Sequence, residues 1–424
     1  MTKGELSSKL AEARQYAAIA TAFALPLSTS AQAIAVSVLA VLALLTLDRA
    51  RFNATLREPA AWLPVALFSL LVVGVSWSTQ PFGLAIKWVG PYAKFLLIPL
   101  LMATAVTPRQ ALQIGLGFLA ACVILLMLSW ASFLWPTGPW GWFKGPGVPV
   151  KDNAVQSGCF ALCAFGLALG AMQIWRADRR RALAMTVLAL LFLADIFLIF
   201  ISKTGALMAA ALLALFLLQI GWRRALMVTV PVVLVVAVAL WTSAPAQLRL
   251  AEISTDINAS QSTKAGAQET VSTASRLDFW TKAIDFVKQA PLLGHGTGSI
   301  KSLYQSLEAT RPSPYGQATP DPHNQFFHIA LQVGLIGGAL LLAMWIAHAL
   351  MFMRRDLTSV MGLAVVLQNV VGSLFNSHLS TVTQGMLYCL AVGLLGAAVR
   401  STKPPAPDQS FAIPASTSAS NTVA

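Results

Sequence analysis

Arg276 and His323 are the residues whose type and place in the chain point most directly to chemistry. Arg276 opens a stretch in which Leu277, Trp280, Ile284 and Val287 recur at helical spacing. A helix N-terminus presents unpaired N–H groups, so an arginine there makes a site for an anion. His323 stands at the mouth of an apolar run, and its reference pKa of about 6.5 lets it take or give a proton near neutrality. Alone, a histidine followed by an asparagine is more often a helix cap. The order of the motifs is more specific: Arg276-x-x-x-Trp280, then Pro291-Leu292-Leu293-Gly294-x-Gly296-x-Gly298, then His323-Asn324-x-Phe326, with Gly334 and Gly337 beyond. Pro291 and the three glycines predict a tight turn ending the first helix.

A second set of candidates lies inside apolar runs, where an ionisable side chain costs about 2.5–3.5 kcal/mol and marks function by default. Lys87 and Lys94 fall in one run, seven residues apart. On a helix that spacing puts both on one face. Lys203 opens another run, Asp195 sits near the end of the one before it, and His378 lies in the turn before the last. Each cation alone is also explained by snorkelling to the interface. Several on one side suggest an anionic ligand, phosphate foremost. No Asp-x-Asp, carboxylate cluster or His/Cys ligand spacing suggests a metal, and no cofactor is expected. Cys122, Cys159, Cys163 and Cys389 all lie in apolar runs, as packing residues rather than disulfides or ligands.

These residues need an apolar scaffold to position them. Of 424 residues 57% are hydrophobic and only 11% charged, with a mean hydropathy of +0.70. A soluble domain carries roughly 25% charged residues, so the pattern predicts an all-α polytopic membrane protein. Twelve spans are read: 14–29, 31–47, 60–77, 84–104, 109–134, 153–174, 181–200, 203–221, 224–242, 323–352, 357–376 and 380–399. The net charge of +13 sits mostly in clusters on alternate connections, such as Arg49, Arg51 and Arg57, or Arg179, Arg180 and Arg181. That is positive-inside patterning, not a nucleic-acid surface. It places both termini in the cytoplasm and the stretch 243–322 outside.

The organisation expected is therefore spans 1–9 in 1–242, an external loop with a helix in 243–322, spans 10–12 in 323–400, and a disordered Pro- and Ser-rich tail in 401–424. A second external stretch, 135–152, is rich in Trp, Pro and Gly. Ala31-Gln32-Ala33 resembles a signal-peptidase site. Glu5, Glu12 and the apolar run that follows immediately argue for retention of residues 1–33.

Taken in order around a large external loop, the Arg276-to-Trp280 helix, the Pro-Leu-Leu-Gly turn and the His-Asn motif resemble the O-antigen ligase and O-antigen polymerase superfamily of membrane glycosyltransferases. The resemblance spans most of the chain and is most specific from Arg276 to Gly337. Where the family tends to have Ser-Arg opening a span, this chain has Ser202-Lys203. That keeps the charge and loses the bidentate fork. Phe327 and Gln332 stand where Leu and Glu are usual.

The resemblance implies a GT-C-like protein of the Gram-negative inner membrane with its active site facing the periplasm. It would transfer O-antigen from undecaprenyl pyrophosphate to a lipid A-core sugar hydroxyl, without a metal. Arg276, Lys203, Lys87 and Lys94 would hold the leaving pyrophosphate, and His323 would take the proton. Trp280, Asn324, Asp195 and His378 would support them. The alternatives are an O-antigen polymerase, a protein O-oligosaccharyltransferase or, from another class, a transporter of anionic lipid.

Overall fold

The computed structural model describes residues 2–145, 147–199, 202–221, 273–310 and 321–402. Among them the secondary structure is helical, with no strand beyond an isolated bridge between Gly145 and Val148. The helices are α1 (Lys3–Leu27), α2 (Thr29–Leu45), α3 (Arg49–Leu56), α4 (Pro59–Val73), α5 (Phe82–Ala85), α6 (Leu97–Met102), α7 (Pro108–Leu134), α8 (Asn153–Ile174), α9 (Arg179–Ala194), α10 (Lys203–Ile220), α11 (Thr273–Gln289), α12 (Ile300–Thr310), α13 (Gln325–Met351), α14 (Leu357–Ser373) and α15 (Val382–Ser401).

Seven of the described helices are long and apolar enough to cross a membrane, or up to nine if each bent pair is one span. That is fewer than the twelve read from hydropathy. The ninth read span, 224–242, lies outside the described residues. Of the others, α1 is polar in its first half, and α14 has only 17 residues. A hydropathy window registers apolar length and is blind to breaks.

The helix starts are written in the sequence. Asp48, Asp178 and Asp356 accept hydrogen bonds from the backbone N–H of Arg51, Arg181 and Ser359 at 3.0 Å each. Each satisfies a donor that the first helical turn leaves free. Thr107 and Gln110 close a capping box at the head of α7.

Ends that the charge pattern assigns to one side also meet in space. On the basic side, Arg14 donates to Thr46 Oγ1 and to the Ala105 carbonyl, and Arg400 pairs with Glu58 at 2.9 Å. On the other side, Gln32 donates to the Val382 carbonyl and Ser78 to that of Thr297.

The decisive local feature is a break in α13. Val333 and Gly334 leave helical geometry, Gly334 at φ 68°. Unpaired backbone groups at membrane depth cost several kcal/mol each unless protein supplies partners. Here the Pro291–Gly298 turn supplies them. His295 and Gly296 donate to the Leu331 and Gln332 carbonyls at 2.8 Å, and Leu335 donates to the Pro291 carbonyl at 2.7 Å. Gln332 completes the lock: its Oε1 accepts from Gly298 N–H at 2.8 Å while its Nε2 donates to the His328 carbonyl. A glutamate could accept here but not donate, so the amide has a structural use. The same turn reaches the outer end of α4, where Thr297 N–H donates to Gly74 and its hydroxyl to Leu71.

Candidate active site

Helix α11 forms as the Arg276 spacing predicts, but its buried face is one residue out of register with the predicted stripe. Phe279, Ala283 and Phe286 are buried against Ile300, Tyr304 and Leu331. Leu277 and Ile284 instead face outward, 47% and 44% exposed. The helix is apolar on two sides, one for its own core and one toward the surroundings. An alternation test on a single stripe cannot choose between them. Phe327 joins that same core.

Two contacts dock α11 onto the turn before α13. Trp280 Nε1 donates to the Pro322 carbonyl at 3.1 Å, and the Phe279 ring stacks on His323 at 6.1 Å between centroids. Arg276 lies one turn back, half-buried, with its Nε unmatched by a hydrogen bond among the described residues. Burial lowers its pKa and the charge of Asp321 raises it, so Arg276 and Asp321 feel each other across the site.

His323 has the one positive φ among the described non-glycine residues, 52°. Such a conformation persists only where the surroundings over-determine it. Asp321 does much of that: its Oδ1 accepts from His323 N–H at 2.9 Å, an Asx-type turn. The same oxygen accepts from the Ser377 hydroxyl and lies 3.5 Å from His328 Nδ1. Burial raises the Asp321 pKa, but His328, Ser377 and His323 outweigh it and hold the carboxyl well below the usual range.

Asn324, paired with His323 in the motif, does different work. Its Oδ1 caps α13 by accepting from Phe326 and Phe327 N–H at 2.9 and 3.1 Å, and its Nδ2 donates to Leu374. The cap explanation thus holds for the asparagine, and the His323 ring takes no part in it. His378 is buried beside this turn, where burial pushes its pKa down to about 4 against the pull of Asp321.

The structure gathers Arg276, Trp280, His323, Asn324 and His378 around the 321–324 turn. Lys87 is exposed whereas Lys94 is buried, so the shared face expected from their spacing is absent. The physical reason is that Ile86–Trp88 and Gly90–Leu96 are 3-10 turns with a 44° bend in the span; seven residues at three per turn do not return to one face. Lys94 Nζ donates to the Thr381 carbonyl, bracing the turn that carries Ser377 and His378. Lys203 opens α10 behind the Ser202 cap, and α10 packs on α8 and α14. Asp195 begins a π-helical turn and meets Gln156 at 3.4 Å, beneath the 135–152 connection.

Asp321 was not among the sequence candidates. It precedes a proline in a polar loop and belongs to no motif by spacing. The one available signal was an acid two residues before a histidine, the geometry of an Asx turn.

Residues 188–342, from late α9 through the break in α13, match the family model described as O-Antigen ligase. The match covers a little over a third of the chain, and over that segment the chain is similar to the family. No curated protein matches the chain. The matched segment contains Arg276, Asp321 and His323 together, while Ser377 and His378, in the α14–α15 turn, and Lys94, in the Gly90–Leu96 3-10 turn, lie outside it. The likeness is to O-antigen ligases, and the apolar helices here are long enough to cross a membrane.

Proposed function

We propose that this protein is an O-antigen ligase, moving a glycan from undecaprenyl pyrophosphate to a sugar hydroxyl of lipid A-core on the periplasmic face of the inner membrane. The observation that carries this reading is the docking of α11 on the 321–324 turn, which brings a half-buried arginine and a histidine to one place inside the matched segment. In the reaction the acceptor oxygen attacks the anomeric carbon and the carbon–oxygen bond to the pyrophosphate breaks. The bonding pair leaves on the pyrophosphate oxygen, and His323 takes the proton of the attacking hydroxyl. Arg276 meets the charge that grows on the leaving group. Protein cations do this electrostatic work, and no metal is invoked.

A polymerase would spend the same donor at the same anion site, so the acceptor must be tested directly. Deletion of the gene is expected to leave bare lipid A-core on a lipopolysaccharide gel, with polymer stranded on its lipid carrier. A core capped by one repeat unit would identify a polymerase. An unchanged ladder would reject both.

A further inference from the structure

We propose that Asp321 is a positioning residue that fixes the pose of His323 through its backbone and stands as counter-ion to the imidazolium formed when His323 takes a proton. It rests on the reading of His323 as the base. Several observations converge on it. One carboxylate oxygen of Asp321 holds His323 N–H at 2.9 Å, in the turn that gives His323 its left-handed backbone. The same oxygen is pinned by the Ser377 hydroxyl from the α14–α15 connection. Asp321 therefore ties the histidine to the far side of the site as well as to its own loop.

A turn acceptor alone has no need of charge, since asparagine serves as well. The surroundings of Asp321 are those of a carboxylate used as one. Arg276 faces it from α11, His328 from α13 at 3.5 Å, and His378 from the α14–α15 turn. Tyr92 and Tyr304 also sense its charge. His323 Nδ1 and both His328 ring nitrogens are buried without hydrogen-bond partners among the described residues. A carboxylate charge nearby favours the protonated form of an imidazole.

The chain has only five histidines, so each ring can be followed by NMR in the full-length protein labelled with 13C,15N-histidine in nanodiscs, assigned by single His→Gln variants. Asp321→Asn keeps the turn acceptor and removes the charge. The titration midpoint of His323 is expected to fall by about one pH unit or more, and the acid limb of transfer to follow it downward with a lower kcat. Asp321→Ser, also a neutral turn acceptor, gives the same reading if the asparagine variant does not fold. A His323 midpoint unchanged in a folded variant overturns the proposal. This readout needs no substrate. If His323→Gln transfers at the wild-type rate, the base assignment is what fails, and the Asp321 titration remains an independent result.

Discussion

At the scale of single residues, Arg276 is the sharper of the two chemical groups because its setting is asymmetric. It is half-buried, with a guanidinium nitrogen unspent, and the nearby Asp321 is already engaged by His323 and Ser377. Among the described residues the Arg276 Nε has no hydrogen-bond partner, which leaves a donor for a phosphate oxygen. Losing one preorganised donor from a charge-stabilising site costs about 10²–10³ in kcat. Arg276→Ala is therefore expected to lose transfer by that factor in the purified protein while its melting temperature stays near wild type. Arg276→Lys should recover little, because a point charge does not replace a planar fork. Near wild-type turnover of Arg276→Ala would remove the anion site from Arg276.

At the scale of elements, the glycine-rich turn and the broken α13 are one device. Gly334 holds φ 68° where a Cβ would stand 1.9 Å from the Leu292 carbonyl oxygen, and Gly294 at φ 65° would bring one within 2.6 Å of Gly334 N. The positive φ alone costs a non-glycine residue about 1–3 kcal/mol, before the backbone overlap. Gly334→Ala should thus abolish the monodisperse folded protein in detergent, read by fluorescence-detected gel filtration. Gly83→Ala, where a Cβ meets nothing within 4 Å, should behave as wild type. Equal stability of the two variants would mean that the turn is not wedged into the helix break.

This device also marks how far the sequence was legible. The α11 helix, the turn that ends it and their order before His323 could be read from spacing and composition. That the turn fills a gap in a helix some forty residues later could not, because nothing local in Val333-Gly334 announces a break. The Lys87–Lys94 face failed for a related reason: periodicity arguments assume an α-helix, and that span is wound partly as 3-10 turns. Asp321 was invisible because its importance is entirely tertiary, made by Ser377 and His328 arriving from elsewhere.

At the scale of the whole molecule, the two sides of the helical layer differ in charge. The candidate site, the 78–82 corner, the Trp-rich 135–145 connection and the α14–α15 turn all belong to the side that the basic clusters avoid. Trp135 and Trp142 are each 58% exposed there, and tryptophan favours the membrane–water interface. The outward Leu277 and Ile284 of α11, with Leu292 and Leu293 beyond it, give the site an apolar flank of the kind that rests on a bilayer surface. If the donor is lipid-linked, its pyrophosphate lies at that depth, and the side on which α11 sits decides which compartment supplies the acceptor. The four native cysteines are all buried, so single introduced thiols can be read against a silent background. Ser306→Cys on α12 and Arg180→Cys at the head of α9 are both at exposed positions. A membrane-impermeant maleimide applied to whole cells is expected to label the first and to reach the second only after lysis. The opposite pattern would put the site in the cytoplasm, where lipid A-core awaiting O-antigen is not exposed to it, and the ligase reading would fall with the topology.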